Sequence, residues 1–377
     1  MTTEPKFTLG IEEEYLLVDR ETHALANDPP AAFMDECHRR SGQQIAPEFL
    51  SSQVEVATKV CRTIAEARED LCQLRRVIID VSAEHGLAPI AASTHPSAIW
   101  SEQLHTQRER YENFEQEMQA AVRRLLICGM HVHVGIEDNE LRIDLMNQMR
   151  YFLPHLLMLS SSSPFWQGED TGLRSYRLTV FDALPRTGIT PVFSSYAEYQ
   201  RHVAVLTDAG IIEDGSMVWW DIRPSVRYPT LETRVLDVCT NIEDSLCLAA
   251  LTTCLLRMLY RLRRANQSWR IYNTMLLDEN RWRAMRYGFS DGLLDLAKNS
   301  VVPFPELLEE ILELISEDAK ALDCVAEVQH ARTIVSRGSS SDQQLRVYHE
   351  ALSGGADNKE ALDDVVRFLV AETAAGL

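Results

Sequence analysis

Four segments of this chain alternate apolar residues with polar ones at period two, and in each the polar set includes ionisable side chains. Period two belongs to the β-strand, where residues i and i+2 share a face. Phe7 to Asp19 reads as a long strand, with Phe7, Leu9, Ile11, Glu13, Tyr15 and Leu17 on one side and Glu12 and Glu14 on the other. Val54 to Lys59 sets Val54 and Val56 against Gln53 and Glu55. Met130 to Ile136 sets Val132 and Val134 against His131 and His133. Thr230 to Val238 sets Leu231, Thr233 and Val235 against Glu232 and Arg234, and a fifth short segment, Trp219 to Arg223, puts Asp221 and Arg223 together. If these strands share a sheet, one face rests on a core. The other gathers Glu12, Glu14, Glu55, His131, His133, Glu232 and Arg234.

Such a face has a chemical problem. Two carboxylates on one strand face stand about 6.6–7 Å apart and repel unless cations or a ligand lie between them. A lone Glu-x-Glu commonly just faces water, but here carboxylates outnumber cations across several strands. A His-x-His pair on one strand face is a recurrent metal-ligand arrangement. Carboxylates with histidine and without cysteine suit a hard ion such as Mg²⁺ or Mn²⁺. Arg234 shares a strand face with Glu232, and Arg174 and Arg177 lie in Gly172-Leu-Arg-Ser-Tyr-Arg177. Guanidinium groups beside a metal-binding carboxylate cluster are what phosphoryl transfer requires. The His-x-His pair also leaves a metal-dependent amide hydrolase open, and a degenerate site would leave a nucleotide- or amino-acid-binding protein.

Amphipathic helices fall between the strands, at about Ala65–His85, Glu102–Ile127, Leu141–Leu159 and Ser245–Arg264, with Asp138 or Asn139 capping the third and Asp244 the fourth. From Phe304 the pattern is helical to the last helix, Lys359–Ala374. The only internal boundary falls at Asp291–Pro305, so the expectation is one catalytic domain over 1–377, with a sheet-bearing part (1–290) and a helical part (291–377). Periodicity alone does not decide between α+β and α/β. The net charge of −19 argues against sequence-independent nucleic-acid binding. The N-terminus lacks the pattern of a signal peptide, and the apolar stretch Leu246–Leu256 is short for a bilayer span of about 20 residues, so a cytoplasmic protein away from membranes is expected. Eight cysteines without a CxxC pair read as buried thiols. No P-loop, dinucleotide fingerprint, HExxH or GxSxG occurs.

Six ordered stretches then carry a resemblance. They are Gly10-Ile-Glu-Glu-Glu-Tyr15, Gly129-Met-His-Val-His-Val-Gly135, Ser163-Pro-Phe-Trp-Gln-Gly168 with Asp170-Thr-Gly172, Trp220-Asp-Ile-Arg-Pro-Ser225, Thr230-Leu-Glu-Thr-Arg-Val-Leu-Asp237 and Asn280-Arg-Trp-Arg-Ala-Met-Arg-Tyr-Gly288. Together they resemble the YbdK-type carboxylate-amine ligases of the glutamate–cysteine ligase type 2 family. The resemblance implies an α+β, glutamine-synthetase-like fold, in which a curved, largely antiparallel sheet forms a funnel flanked by helices. It implies ATP-dependent amide-bond formation through an acyl phosphate, with Mg²⁺ or Mn²⁺, glutamate and cysteine as first candidate substrates, and a homodimer. It maps metal ligands onto Glu12, Glu14, Glu55, His131 and Glu232, with Arg234 at the transferred phosphoryl group and Arg177 at a substrate carboxylate or phosphate. Glu13, acidic where the family takes apolar residues, faces away and is not expected to be a ligand, and Arg174 stands where a small residue is expected.

Overall fold

The structure, a computed structural model, describes residues 4–106, 118 and 120–377. Its main sheet has seven strands: β1 (Leu9–Asp19), β2 (Ile45–Pro47), β3 (Gln53–Ala57), β4 (Leu87–Ile90), β5 (Met130–Gly135), β6 (Ile222–Pro224) and β7 (Thr230–Thr233). The order is β2-β3-β1-β5-β7-β6, with β4 pairing the C-terminal end of β1, and every ladder is antiparallel. The expected strands form where the alternation placed them. The fourth is shorter than Thr230–Val238, because the Asp221 carbonyl accepts from both Arg234 N and Val235 N and draws the chain out of the ladder.

One face of the sheet is covered by α1 (Ile64–Glu84) and by a later helix, Ile242–Arg264. Thr63 caps α1 by accepting from Glu66 N. The helix expected over Leu141–Leu159 is two, α2 (Asn139–Met149), capped by Asp138, and α3 (Leu153–Ser160). Pro154 is the reason, since it cannot donate within a helix interior but fits the first turn of a new one. The Ile242–Arg264 helix, α4, is capped by Asn241 rather than by Asp244, whose carboxylate instead binds His330 and Arg337. Helix α4 is 23 residues long and apolar enough to cross a membrane, yet 83% of its most apolar window is buried inside the protein. It is a core helix. Of the helix expected over Glu102–Ile127, residues 107–117 and 119 lie outside the described residues; Ala120–Arg123 is helical, while Gln103–Thr106 and Leu125–Ile127 are not.

The boundary region expected at Asp291–Pro305 holds a small hairpin, Leu293–Asp295 with Ser300–Val302. The hydrophobic core runs across it without a break, joining Leu9, Val132 and Leu256 to Phe304, Ile311, Val365 and Leu369. The C-terminal helices also reach the loop after α3. Ser341 N donates to Ser161 O at 3.0 Å, and Gln344 Nε2 donates to Ser162 O at 2.9 Å. All eight cysteines are free thiols, seven of them buried.

Candidate active site

Register brings the ionisable residues of the open face together. Glu12 lies opposite His131 across the β1–β5 ladder, and Glu14 lies opposite Glu55 across β1–β3. His133 lies opposite Glu232 across β5–β7, and Glu232 opposite Arg223 across β6–β7. Directly opposed side chains in an antiparallel pair stand about 4.5–5.5 Å apart at Cβ, so four neighbouring ladders produce one continuous cluster. All five residues mapped as metal ligands, with Arg234 and Arg177, belong to it or border it.

Each histidine touches Glu12. His131 Nδ1–H donates to Glu12 Oε2 at 3.0 Å, and His133 Nε2 lies 3.3 Å from Glu12 Oε1. His133 Nε2 is buried and makes no well-aligned hydrogen bond, while its Nδ1 pairs with Thr230 Oγ1 at 2.9 Å. Burial, aided by the Arg234 charge, pushes His131 down to about 4, so its ring is neutral at pH 7 and its Nε2 carries a free lone pair. Burial works against the Glu12 carboxylate, but the two imidazoles close to it, His131 by a hydrogen bond and His133 by proximity, outweigh it and hold the group well below the usual carboxylate range.

On the other side of β1 the balance reverses. Burial, with Glu48 nearby, pushes the Glu14 carboxyl up to about 7 against the pull of Arg177. Glu55 is also raised well above its ordinary value by burial and by the charges of Glu12, Glu48 and Glu14. Carboxylate oxygens of Glu14, Glu48 and Glu55 lie within 4.8 Å of one another, as do donor atoms of Glu12, Glu55 and His131, and of Glu12, His133 and Glu232. Oxygen-rich donor sets with a neutral imidazole fit a hard divalent cation. The residues present therefore suit the divalent metal that the resemblance implied.

Glu232 is held by two guanidinium groups. Arg223 Nε donates to its Oε2 at 2.9 Å, and Arg234 Nη1 donates to its Oε1. These two guanidinium groups overcome the cost of burial and hold Glu232 far below its ordinary range. Arg223 is anchored in turn to the Ser216 and Val218 carbonyls, both at 2.7 Å. Arg177 is buried, and its Nη2 reaches the Arg234 carbonyl at 3.3 Å. Asp221 does not join the cluster; it pairs with Arg281 at 2.8 Å. Arg174 binds Asp342 on the C-terminal helices at 2.9 Å, fastening the loop that leads to Arg177.

Two members of the cluster are absent from the ligand set that the resemblance implied. Glu48 sits in the irregular bend between β2 and β3, where no alternation could have singled it out. His133 was visible in the His-x-His pattern and had no assigned role. Glu13, as expected, points the other way. It is fully buried and receives Arg75 Nε at 2.9 Å and Nη2 at 2.7 Å, with Tyr15 and Ser245 hydroxyls on the same carboxylate.

With this geometry established, comparison with known proteins gives a consistent picture. Residues 8–368 match glutamate–cysteine ligase family 2, GCS2. A protein of Rhodospirillum rubrum named "putative glutamate–cysteine ligase 2" is 60% identical, over 99% of this chain and 97% of its own length. One of Jannaschia sp. with the same name is 53% identical over 97% and 96%. Among solved structures, the glutamate–cysteine ligase of Francisella tularensis in complex with AMP aligns with a TM-score of 0.70 at 15% identity, covering 99% of this chain and 90% of that one. The bifunctional glutathione synthetase of Pasteurella multocida also gives 0.70, at 13% identity; 97% of this chain corresponds to only 52% of that longer one. The fold is thus the mixed, antiparallel α+β fold of these ligases. The chain belongs to glutamate–cysteine ligase family 2 and is an ATP-dependent carboxylate–amine ligase. The hydrolase and binding-protein readings that the His-x-His pair left open give way to this membership.

Proposed function

We propose that the open face of the sheet joins the side-chain carboxylate of glutamate to the amine of cysteine, with ATP driving the reaction. The observation that carries this reading is the cluster itself: carboxylates from three strands and a bend, two histidines and two bracketing arginines on one face. Glu12, Glu14, Glu55, His131 and Glu232 would hold Mg²⁺ or Mn²⁺, with Glu48 and His133 as further ligands. Such ions, when bound, neutralise charge on the transferring phosphoryl group. The substrate carboxylate oxygen attacks the γ-phosphorus and ADP leaves. The amine nitrogen then forms the C–N bond, and phosphate departs with the carboxylate oxygen. No protein nucleophile is required.

In this reading Arg234 stabilises charge on the phosphoryl oxygens, and Glu232, pinned by Arg223, keeps that guanidinium in place. Arg177 takes an anionic group of the substrate, a carboxylate or a phosphate. The chain acts as a single catalytic unit, since its core crosses residue 290 without interruption, and works in the cytoplasm as a homodimer. The test is ATP-dependent phosphate release with Mg²⁺ or Mn²⁺ across a panel of carboxylates and amines that includes glutamate and cysteine. Release requiring both glutamate and cysteine supports the assignment. Release with another pair keeps the ligase and replaces the substrates, and no release with any pair overturns the site.

A further inference from the structure

Gly129 precedes the strand that carries both histidines, and its main chain already serves the cluster. Its N–H donates to Glu14 Oε2 at 2.7 Å, and its carbonyl accepts from Glu14 N at 3.1 Å. Its missing side chain matters to a second neighbour. A Cβ at this position would lie 2.4 Å from Arg177 Nη2, 2.9 Å from Cζ and 3.1 Å from Nε. The guanidinium of Arg177 therefore occupies the volume that any other residue would fill. Gly129 is not among the positive-φ glycines, so the need here is for space and not for an unusual backbone torsion. Gly10, on the neighbouring strand, makes the contrast: a Cβ there meets nothing closer than 3.9 Å.

Arg177 is 3% exposed, and among the described residues no carboxylate lies within ion-pair distance of it. Among the described residues its Nε has no hydrogen-bond partner, and its Nη1 and Nη2 reach only the main-chain carbonyls of Val235 and Arg234, at 3.5 and 3.3 Å. A buried guanidinium with unused donors is costly until an anion completes it. We propose that Gly129 is a positioning residue, whose lack of a side chain seats the Arg177 guanidinium where it meets the anionic group of the incoming substrate. This inference rests on the reading of Arg177 as an anion contact. The first atoms an added methyl would meet are the far end of a flexible side chain, so Gly129→Ala yields by displacing the guanidinium. A displacement of about 1 Å at a substrate-positioning group costs on the order of 100-fold in rate.

A double-mutant cycle, read by steady-state kinetics for ATP, carboxylate and amine in turn, tests the seat. Arg177→Ala is expected to raise KM for one anionic substrate and lower kcat/KM by about 100-fold. Gly129→Ala should raise KM for that same substrate, and in the Arg177→Ala background it should add less than about twofold, because the two changes remove one interaction. Arg177→Lys, with a slimmer head group, should recover part of the Gly129→Ala loss. Full additivity would mean that Gly129 acts through Glu14 alone, which overturns the proposal. Wild-type kinetics for Gly129→Ala beside an impaired Arg177→Ala leaves the anion contact standing and overturns the seat. Wild-type kinetics for Arg177→Ala overturns both. If Gly129→Ala does not fold, the Gly129→Ala/Arg177→Ala protein should fold again, since the clash is gone; persistent unfolding counts against the seat.

Discussion

Glu13 differs from Glu12 and Glu14 only in the direction its side chain takes from β1, and that difference decides what each does. On the core side Glu13 is fully buried and fully partnered, by Arg75 from α1 and by the hydroxyls of Tyr15 and Ser245. Arg75 also donates to the Cys239 and Thr240 carbonyls just before α4, so one ion pair ties the central strand to both covering helices. On the open side Glu12 and Glu14 find histidines and further carboxylates instead. A carboxylate whose partners are complete is structural. A group of carboxylates crowded against one another is held in readiness for something that arrives.

The comparison breaks most visibly at Glu232. Glu232→Gln is expected to reduce turnover by at least about 1000-fold in a protein that still folds, at a stability cost of about 3–5 kcal/mol because Arg223 and Arg234 lose their buried counter-charge. Circular dichroism melts beside phosphate-release rates check both halves, and wild-type-like kinetics would remove Glu232 from the site. On the core side a similar loss of stability is expected without the loss of activity. Arg75→Met leaves the Glu13 charge buried without its ion, which costs about 3–5 kcal/mol of stability by urea unfolding. The fraction that remains folded should keep its KM values for all substrates. The smallest expected effect sharpens the contrast further. Glu55→Gln removes one of the crowded buried carboxyls and should raise the stability of the metal-free protein by about 1 kcal/mol in chelator, while activity falls. A loss of stability there would mean that the open face is already balanced without a cation.

Much of this arrangement could be read from the chain, because a strand writes its two faces into alternate residues. Glu12, Glu14, Glu55, His131, His133 and Glu232 announced their common face that way, and the ladders bring them into register. Arg75 carried no such mark. It lies on a helix 62 residues from Glu13, and helical spacing does not reveal which strand residue a buried cation will meet. Glu48 was hidden for a related reason, since a bend has no period. The split between α2 and α3 was legible in Pro154, but the continuous run of apolar residues on either side of it outweighed that single imino acid.

The middle position of β1 in the sheet has a consequence for how the molecule is made. Its first ladder partner, β3, emerges soon after it, but Glu12 and His131 are separated by 119 residues, and β7 comes about a hundred residues later still. Pairings of such long range require large loops to close before any contact rewards them, which slows folding. The N-terminal strand must therefore wait on the ribosome with one edge unsatisfied until β5 emerges, about a third of the way along the chain. The charged residues Glu12 and Glu14, which later serve the open face, also make that waiting segment a poor template for aggregation.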